Sequence, residues 1–318
     1  MTVINGIEID NIDYKVNEIK SAIKNNDPIE DKLHVILVIS NPCLYARRYI
    51  LLKEFIKRIE EEEEHVILYI VELCYGVQKF IVTNNSVRHL QIRTKTPLWH
   101  KENMINLGVK LLPKNYKAFA WIDADIEFDS PTWAMDTLKI LNGSKDIVQL
   151  FSHAVDMYRD ESNIQIFNGF GYSFCKKKTM KDLWHPGFAW AITRKAYEKV
   201  GIFDKGILGS GDHVMARSLI NQAPLHADYH PDYNQSMLDY QEKAKHLRLG
   251  YTPGIIRHYY HGSKKNRKYV ERWQILIKHQ FSPSQLTYEN GILVPLFSDA
   301  FCDDILTYFK ERKEDEMN

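Results

Sequence analysis

The sequence predicts an α/β fold in which a mixed, mostly parallel central sheet is flanked by helices and followed by a helical C-terminal decoration. Two observations support this class. Apolar runs rich in β-branched residues alternate, in the first half of the chain, with segments whose apolar residues recur at helical spacing. The runs are apolar throughout, which is typical of strands covered on both faces in a parallel sheet. Ligands of such folds bind at the carboxyl ends of strands, so polar residues that follow a strand are the candidates for function.

Three strands and three helices are predicted in the first half of the chain. The predicted strands run from His34 to Ser40, from His65 to Leu73 and through "AFAWIDADIEF" from Ala118 to Phe128. The predicted helices are "YARRYILLKEFIKRIEEEEE", "PLWHKENMINLGVKLLP" between Pro97 and Pro113, and "SPTWAMDTLKILN". Ser130 is expected to be the N-cap of the third helix, with Pro131 as its first residue.

The second half of the chain is less regular. The segment "HPGFAWAITRKAYEKVGIFDKGILGSGDHVMARSLI" predicts a helix from Thr193 that breaks at Gly201, then a glycine-rich loop and a helix that begins at Asp212. The tail "KERKEDEMN" is predicted to be a frayed end. The expected organisation is an N-terminal extension over residues 1–31, a main domain over 32–280 and a C-terminal extension over 281–318.

The composition is that of an ordinary globular protein. Of 318 residues, 44% are hydrophobic and 26% are charged, and the net charge of +1 gives no overall electrostatic reason to expect a nucleic-acid partner. The 4 cysteines lack the spacing of a zinc site or a disulfide framework. The N-terminus has acidic residues where a signal peptide is basic, and no apolar run is long enough to span a membrane. A cytoplasmic protein without a membrane span is therefore expected.

Asp123 and Asp125 follow the apolar run "AFAWI" directly. An ionised aspartate is costly in a buried strand unless it is paired or binds a metal, so both carboxylates are expected where the strand ends. Mg²⁺ and Mn²⁺ prefer oxygen ligands and are often held by one or two carboxylates together with substrate phosphates. The alternative is a turn in which an aspartate caps the next helix.

Asp212 follows Gly-Ser-Gly at the predicted start of a helix. A carboxylate at that position is either a general base that faces the ligand cleft or simply the N-cap of the helix.

The segment "IRHYYHGSKKNRK" places His258 and His261 ahead of a basic cluster that includes Lys264 and Lys265. A histidine there could complete a metal site, and the cations could balance a diphosphate leaving group. The alternative is a solvated basic loop.

In this order, the motifs "HKENMINLGVKLL", "WIDADIEF", "PGFAWAITRKAYEKVGIFD", "GSGDHVMARSL" and "IIRHYYHGSKKN" resemble those of metal-dependent glycosyltransferases of the GT-A fold. The pattern is similar to the inverting β-1,4-galactosyltransferases and family 2-like enzymes, and it covers roughly residues 34 to 275. The resemblance implies a GT-A (Rossmann-like) catalytic domain that transfers a sugar from a nucleotide-sugar donor, a UDP-sugar by default. The implied acceptor is a hydroxyl of a glycan, glycoprotein or other molecule, and the implied cofactor is Mn²⁺ or Mg²⁺.

The resemblance also implies roles for individual residues. Asp125 would be the main metal-binding carboxylate, with Asp123 near the metal or the ribose, and Asp212 would be the general base of an inverting reaction. His258 and His261 compete for the role of metal histidine. The residues implied to bind the donor are Ser40, Asn41, Pro42, Asn106, Asp123, Gly187, Trp190, Lys264 and Lys265.

Two positions depart from the family pattern. Gly211 replaces the first acid of the family's acidic pair, and Leu208 replaces an aromatic residue on the acceptor side. These changes leave the base assigned to Asp212 but put both the acceptor and the donor sugar in doubt. The family's membrane anchor is also missing, which indicates a bacterial or viral style of enzyme.

Two other functions fit parts of the same pattern. One is a carbohydrate-binding relative without activity, since 18 tyrosines and 6 tryptophans are available for stacking on sugars. The other is a metal-dependent nucleotidyltransferase or phosphohydrolase. The nucleotidyltransferase would be favoured by a glycine-rich phosphate loop after the first strand, but "SNPCLYARR" stands there instead.

Overall fold

The computed structural model describes residues 3–4, 7–8, 16–17, 20, 27–158, 160, 162–179, 184–269 and 271–316. Most of the predicted N-terminal extension lies outside these residues. Within them, the chain forms a seven-stranded and a five-stranded sheet, together with two short hairpins. The hairpins pair β1 (Val3–Ile4) with β2 (Ile7–Glu8) and β15 (Leu286–Glu289) with β16 (Ile292–Pro295).

The described strands divide between the two larger sheets. The central sheet comprises β3 (Leu33–Ser40), β4 (Val66–Tyr75), β5 (His89–Thr94), β6 (Ala118–Ile122), β8 (Ile147–Gln149), β12 (Ala189–Thr193) and β13 (Leu249–Tyr251). The second sheet comprises β7 (Ile126–Phe128), β9 (His153–Met157), β10 (Asn163–Gly169), β11 (Trp184–His185) and β14 (Ile255–His258).

The described helices lie between these strands and after them. They are α1 (Ala46–Glu62), α2 (Lys101–Gly108), α3 (Trp133–Leu141), α4 (Phe170–Cys175), α5 (Arg194–Val200), α6 (Gly211–Leu219), α7 (Pro231–Ala244), α8 (Trp273–Lys278) and α9 (Asp299–Glu311). Short 3₁₀ turns occupy Val109–Leu111, Lys264–Arg267 and Pro283–Gln285. None of the helices among the described residues combines the length and the hydropathy that a membrane crossing requires.

The central sheet has the order β13-β8-β12-β6-β3-β4-β5. Its neighbouring strands pair in parallel except at β12, which is antiparallel to both β6 and β8. Side chains of β3 alternate between the two faces: Val35 and Leu37 join the core that includes α1 and α3, and Ile36 joins the core that includes α2. The predicted α/β class, with a mixed and mostly parallel sheet covered by helices on both faces, is confirmed.

Two predictions about the middle of the chain were wrong in detail. The run "AFAWIDADIEF" is not one strand, because the chain leaves the central sheet after Ile122 and enters the second sheet as β7. Ser130 is not the N-cap of α3, which begins at Trp133, and its hydroxyl lies 3.2 Å from that of Thr132 instead. The strand β5 was not predicted, because its sequence "HLQIRT" is mostly polar, as suits the edge of a sheet.

The predicted frayed end was also wrong over residues 310–316, the part of it that the structure describes. Arg312 and Glu314 are buried, and Glu314 forms ion pairs with Arg312 and with Arg48 of α1. The carboxylate of Asp315 accepts hydrogen bonds of 2.9 Å from the backbone N–H groups of residues 46 and 47. These N–H groups belong to the first turn of α1 and have no partner inside the helix, so the acidic tail caps that helix.

Candidate functional site

A cavity of about 670 Å³ opens where β3 and β6 end, between the two larger sheets. The turn that joins β6 in the central sheet to β7 in the second sheet places Asp123 and Asp125 in this cavity. Backbone hydrogen bonds fix both ends of the turn: Asp123 donates to Phe188 and Tyr259 donates to Asp125, each at 2.8 Å. The carboxylates therefore lie at a carboxyl end of the central sheet, where α/β folds bind ligands.

Asp125, His258 and His261 converge on one point of the cavity wall. Asp125 Oδ2 lies 2.8 Å from His261 Nε2 and 3.6 Å from His258 Nε2, and the two Nε2 atoms are 3.2 Å apart. One divalent cation with ligand bonds of about 2.1 Å can bridge such spacings. The second oxygen, Asp125 Oδ1, is buried with no hydrogen-bond partner in the described part of the chain, as expected of an atom that also faces an ion. The three residues therefore fit a metal site.

Their protonation states suit metal binding. Burial alone would raise the pKa of Asp125, but the two histidines hold it well below its usual range, so the carboxylate is ionised. Burial lowers the pKa of His261 to about 4, which leaves a neutral imidazole at pH 7. Burial also works to lower the pKa of His258, but Asp125 and Asp156 raise it. Asp156 Oδ1 lies 2.6 Å from His258 Nδ1 and so fixes the ring with Nε2 towards Asp125.

Asp123 lies outside this triad. Its Oδ1 is 2.5 Å from the ammonium nitrogen of Lys101, at the start of α2. Burial raises the pKa of Asp123 to about 6, even though Lys101 acts to lower it. The structure therefore places Asp123 beside Lys101 on the cavity wall and not in contact with the histidines.

Asp212 faces the same cavity from the first turn of α6. The helix begins one residue earlier and Ser210 stands at its N-cap position, so Asp212 is not the N-cap. Its Oδ1 accepts a hydrogen bond of 2.8 Å from the backbone of His213. Its Oδ2 approaches Gly187 so closely that a Cβ atom there would lie 2.8 Å away. Gly187 thus makes room for the carboxylate in the cavity.

Glu102 of α2 is a further acid on the cavity wall, and the sequence prediction missed it. It is buried beside Lys101, Asp123 and Asp212, and burial raises its pKa to about 8. The sequence did hold a signal for it: Ile105, three residues on along the helix, is part of the core, so Glu102 lies on the buried face of α2. Burying a carboxyl group on such a face costs free energy unless the group is paired or hydrogen-bonded.

Replacing Glu102 with glutamine should change how stability depends on pH. The folded protein keeps a proton on this carboxyl up to a pH of about 8, whereas the unfolded chain releases it near its ordinary pKa of 4.5. Between those values the folded state binds more protons, so its free energy of unfolding falls as pH rises. Urea denaturation of both proteins across this range tests the effect, and the decline should be smaller in Glu102→Gln. Parallel pH profiles would show that Glu102 is ionised in the fold.

Basic side chains also line the cavity. Lys264 pairs with Asp156 and lies over the ring of Phe167 at 4.5 Å. Arg267 and Arg272 are 7% and 8% exposed, and neither forms an ion pair with an acid among the described residues. The Nε atom of each also has no hydrogen-bond partner there. A buried cation without a counter-charge is costly, so this part of the wall is suited to an anionic ligand.

The structure brings together only part of the predicted site. The predicted residues that line the cavity are Ser40, Asp123, Asp125, Gly187, Asp212, His258, His261 and Lys264. Others have structural partners: Asn41 bonds the backbone of residue 45, Asn106 donates to the carbonyl of residue 202, and Trp190 donates to that of residue 186. Pro42 and Lys265 also lie outside the lining. Residues that line it without having been predicted include Lys101, Glu102, Asp156, His185 and Arg272.

No protein-family model matches the chain, and no curated protein matches it. Among solved structures, the chain is similar to a mutant of the Drosophila beta-1,4-galactosyltransferase 7 in complex with manganese, UDP-Gal and xylobiose. The identity is 11% and the TM-score 0.38, over 81% of this chain and 85% of that chain. It is also similar to the inositol-1-phosphate CTP transferase from T. maritima, with 8% identity and a TM-score of 0.34 over 89% of this chain and 98% of that chain.

Both TM-scores are low, and these similarities by themselves assign no function to the chain. The sheet order, the single antiparallel strand β12 within the described central sheet and the helices on both faces are consistent with the Rossmann-like GT-A fold. The fold and the site together define an α/β protein with a candidate metal centre at the carboxyl end of its sheet.

Proposed function

We propose that this protein is a metal-dependent glycosyltransferase. It moves a sugar from a nucleotide-sugar donor, a UDP-sugar, to an acceptor hydroxyl with inversion at the anomeric carbon. One observation carries the proposal: a single cavity holds three residues that fit a metal site, a separate carboxylate on the start of a helix, and buried arginines that pair with no acid in the described part of the chain. These are the groups needed to bind a diphosphate, to stabilise it as it leaves, and to activate a hydroxyl.

The diphosphate of the donor is the anion that fits the basic wall. Arg267 and Arg272 present guanidinium groups that bind phosphate oxygens through paired N–H donors. Arg267 is also close enough to both histidines for its charge to act to lower their pKa values, although Asp125 and Asp156 raise that of His258 overall. A diphosphate held by these arginines next to the metal site would therefore meet their charge together with that of a bound cation.

Asp212 is the proposed general base. It takes the proton of the acceptor hydroxyl as that oxygen forms a bond to the anomeric carbon, and the bond from that carbon to the diphosphate oxygen breaks. The nucleoside diphosphate leaves with the bonding electron pair, and its charge is held by Arg267, Arg272 and Lys264. A divalent cation on Asp125, His258 and His261 would supply further charge stabilisation to this leaving group. Attack opposite the leaving group gives the inverted product.

The ligand set favours Mn²⁺ over Mg²⁺. Two of the three ligands are imidazoles, whereas Mg²⁺ is bound almost entirely through oxygen atoms and retained waters. Imidazole nitrogens suit first-row transition ions better. Nucleoside diphosphate release should therefore be faster with Mn²⁺ than with Mg²⁺ at equal concentration.

Asp212→Asn should slow sugar transfer by roughly 100- to 10,000-fold, the usual range for a lost general base, and leave donor binding intact. The assay is a screen of nucleotide sugars with Mn²⁺ and mixed sugar acceptors, in which release of nucleoside diphosphate is followed. Asp239→Asn is the matched control, because Asp239 is an exposed acid on α7 far along the chain from the cavity residues.

Three outcomes of this screen would count against the proposal. Full activity of Asp212→Asn would remove Asp212 as the base. Donor binding without release for every acceptor would indicate a carbohydrate-binding relative. Turnover of a nucleoside triphosphate with a sugar phosphate, but not of a nucleotide sugar, would indicate a nucleotidyltransferase.

A further inference from the structure

Glu102 occupies the space that a side chain at position 211 would need. A Cβ atom built on Gly211 would lie 2.5 Å from Cγ and from Oε1 of Glu102, so only glycine allows this contact. The backbone of Gly211 is not in the left-handed region, so its conformation alone does not call for glycine. The absence of a side chain at position 211 therefore serves to let the carboxyl of Glu102 reach from α2 to the start of α6.

This carboxyl belongs to the cavity wall next to the proposed base. Gly211 directly precedes Asp212, and both Glu102 and Asp212 line the cavity. In the proposed sugar transfer, Asp212 is the general base and Glu102 has no assigned role. The charged groups that act on Glu102 are Lys101, which already pairs with Asp123, together with Asp212 and Asp123 themselves. Glu102 thus sits in the part of the cavity where the acceptor hydroxyl must approach.

We propose that Glu102 binds a second hydroxyl of the acceptor, next to the hydroxyl that Asp212 deprotonates. The inference rests on the proposed function and names the acceptor class: a molecule with two neighbouring hydroxyl groups, as on a sugar ring. Glu102 keeps its proton throughout, and the only proton transferred goes from the attacking hydroxyl to Asp212. Two carboxyl groups brought together from two helices in this way hold the acceptor in one orientation.

The chemistry of Glu102 suits this task. Burial raises its pKa to about 8, so at pH 7 it is a neutral carboxyl with one O–H donor and an acceptor oxygen. A hydroxyl of the acceptor can both accept from it and donate to it. A neutral group also avoids repulsion from Asp212, so both can face the same substrate.

The test compares Glu102→Ala, Glu102→Gln and Gly211→Ala with the wild type. The acceptors are methyl glycosides of common hexoses and pentoses, each as the parent and as its mono-deoxy derivatives. Glu102→Ala should raise KM for the parent acceptor roughly 10- to 100-fold, as expected for one lost hydrogen bond in a buried site. Glu102→Gln keeps a donor and an acceptor and should restore most of that loss. Gly211→Ala should behave like Glu102→Ala, because the new methyl group displaces the carboxyl.

Two further readouts separate this role from a structural one. Mn²⁺ affinity, measured by titration calorimetry, should be unchanged in Glu102→Ala, because Glu102 is not one of the three residues that fit the metal site. One deoxy acceptor should show the same KM with the wild type and the variant, because the partner hydroxyl is already missing.

The results that would overturn the inference differ from those that overturn the proposed function. If the wild type is active and Glu102→Ala leaves its acceptor KM unchanged, only the proposed role of Glu102 is refuted. Equal losses with every deoxy acceptor would assign Glu102 to structure only, and use of none of the parent glycosides would rule out the two-hydroxyl acceptor. A wild type that releases no nucleoside diphosphate from any donor removes the proposed function and this inference together.

Discussion

Replacing Asp125 with alanine should abolish binding of Mn²⁺ and slow metal-dependent release of nucleoside diphosphate by roughly 1,000-fold or more. Asp125 is the carboxylate that joins the two histidines into one site, with Oδ2 at 2.8 and 3.6 Å from their Nε2 atoms. Charge stabilisation by a metal ion is worth several kcal/mol at the transition state, and each ~1.4 kcal/mol is a factor of ten in rate. The loss should therefore appear in kcat as well as in metal affinity.

The fold should survive this substitution. His261 is neutral at pH 7, since burial lowers its pKa to about 4, so it does not need Asp125 as a counter-ion. His258 keeps Asp156 as its partner on Nδ1 at 2.6 Å. Mn²⁺ titration calorimetry and thermal melting measure the two effects separately. The melting temperature of the metal-free variant should stay close to that of the metal-free wild type.

Asp129→Ala is the matched control for Asp125→Ala. Asp129 follows β7 four residues after Asp125, pairs with Arg257 at 3.0 Å and lies outside the cavity lining. This variant should bind Mn²⁺ and turn over donor as the wild type does. Wild-type Mn²⁺ affinity in Asp125→Ala would refute the metal site, whatever the activity.

The sequence predicted the fold well for strands that are buried on both faces. Strands β3, β4 and β6 are largely buried on both faces, and their mostly apolar sequences carry that information locally. Strand β5 lies at the edge of the sheet, needs fewer apolar side chains, and so gave no signal. The break between β6 and β7 was missed because it depends on a second sheet whose strands come from distant parts of the chain.

The residues of the candidate site also divide into those that the sequence could predict and those that it could not. Asp125, His258 and Asp212 could be predicted, since each lies at the end or start of an element and belongs to a short motif. Arg272 could not, because its role depends on which elements meet at the cavity. Glu102 could have been noticed as an acid on the buried face of α2, but its neighbours in the cavity could not. Asn41, Asn106 and Trp190 fit the expected motifs, yet their polar atoms are taken up by backbone groups. The structure therefore gives these three side chains a role in the fold, which their motifs did not reveal.

Glu314→Gln should give the largest loss of stability of the substitutions considered. Glu314 is 2% exposed and forms ion pairs with Arg48 and Arg312. These two arginines hold the pKa of its carboxyl well below the usual range, although burial acts to raise it. Removing the carboxylate leaves two buried guanidinium groups without a counter-charge, which costs about 3–5 kcal/mol when one partner of a buried pair is lost. Urea denaturation at pH 7 measures this difference in the free energy of unfolding.

The pH dependence gives a second signature with a definite sign. Because the folded pKa of Glu314 is depressed, its contribution to stability is present above the unfolded value of 4.5 and is lost as pH falls below it. The wild type should therefore lose stability in acid more steeply than Glu314→Gln, and the two should converge at low pH.

Glu311→Gln is the control that separates the loss of the buried ion pairs of Glu314 from the loss of an acidic charge on the surface. Glu311 pairs with Lys268 at 2.7 Å, but both side chains are about half exposed. A surface pair of this kind contributes about 1 kcal/mol or less, so this variant should unfold almost as the wild type does. Equal stability of Glu311→Gln and Glu314→Gln would mean that the tail is not anchored by Glu314. A selective effect of Glu314→Gln would instead make the C-terminal segment part of the wall that carries Arg48, Arg312 and His261.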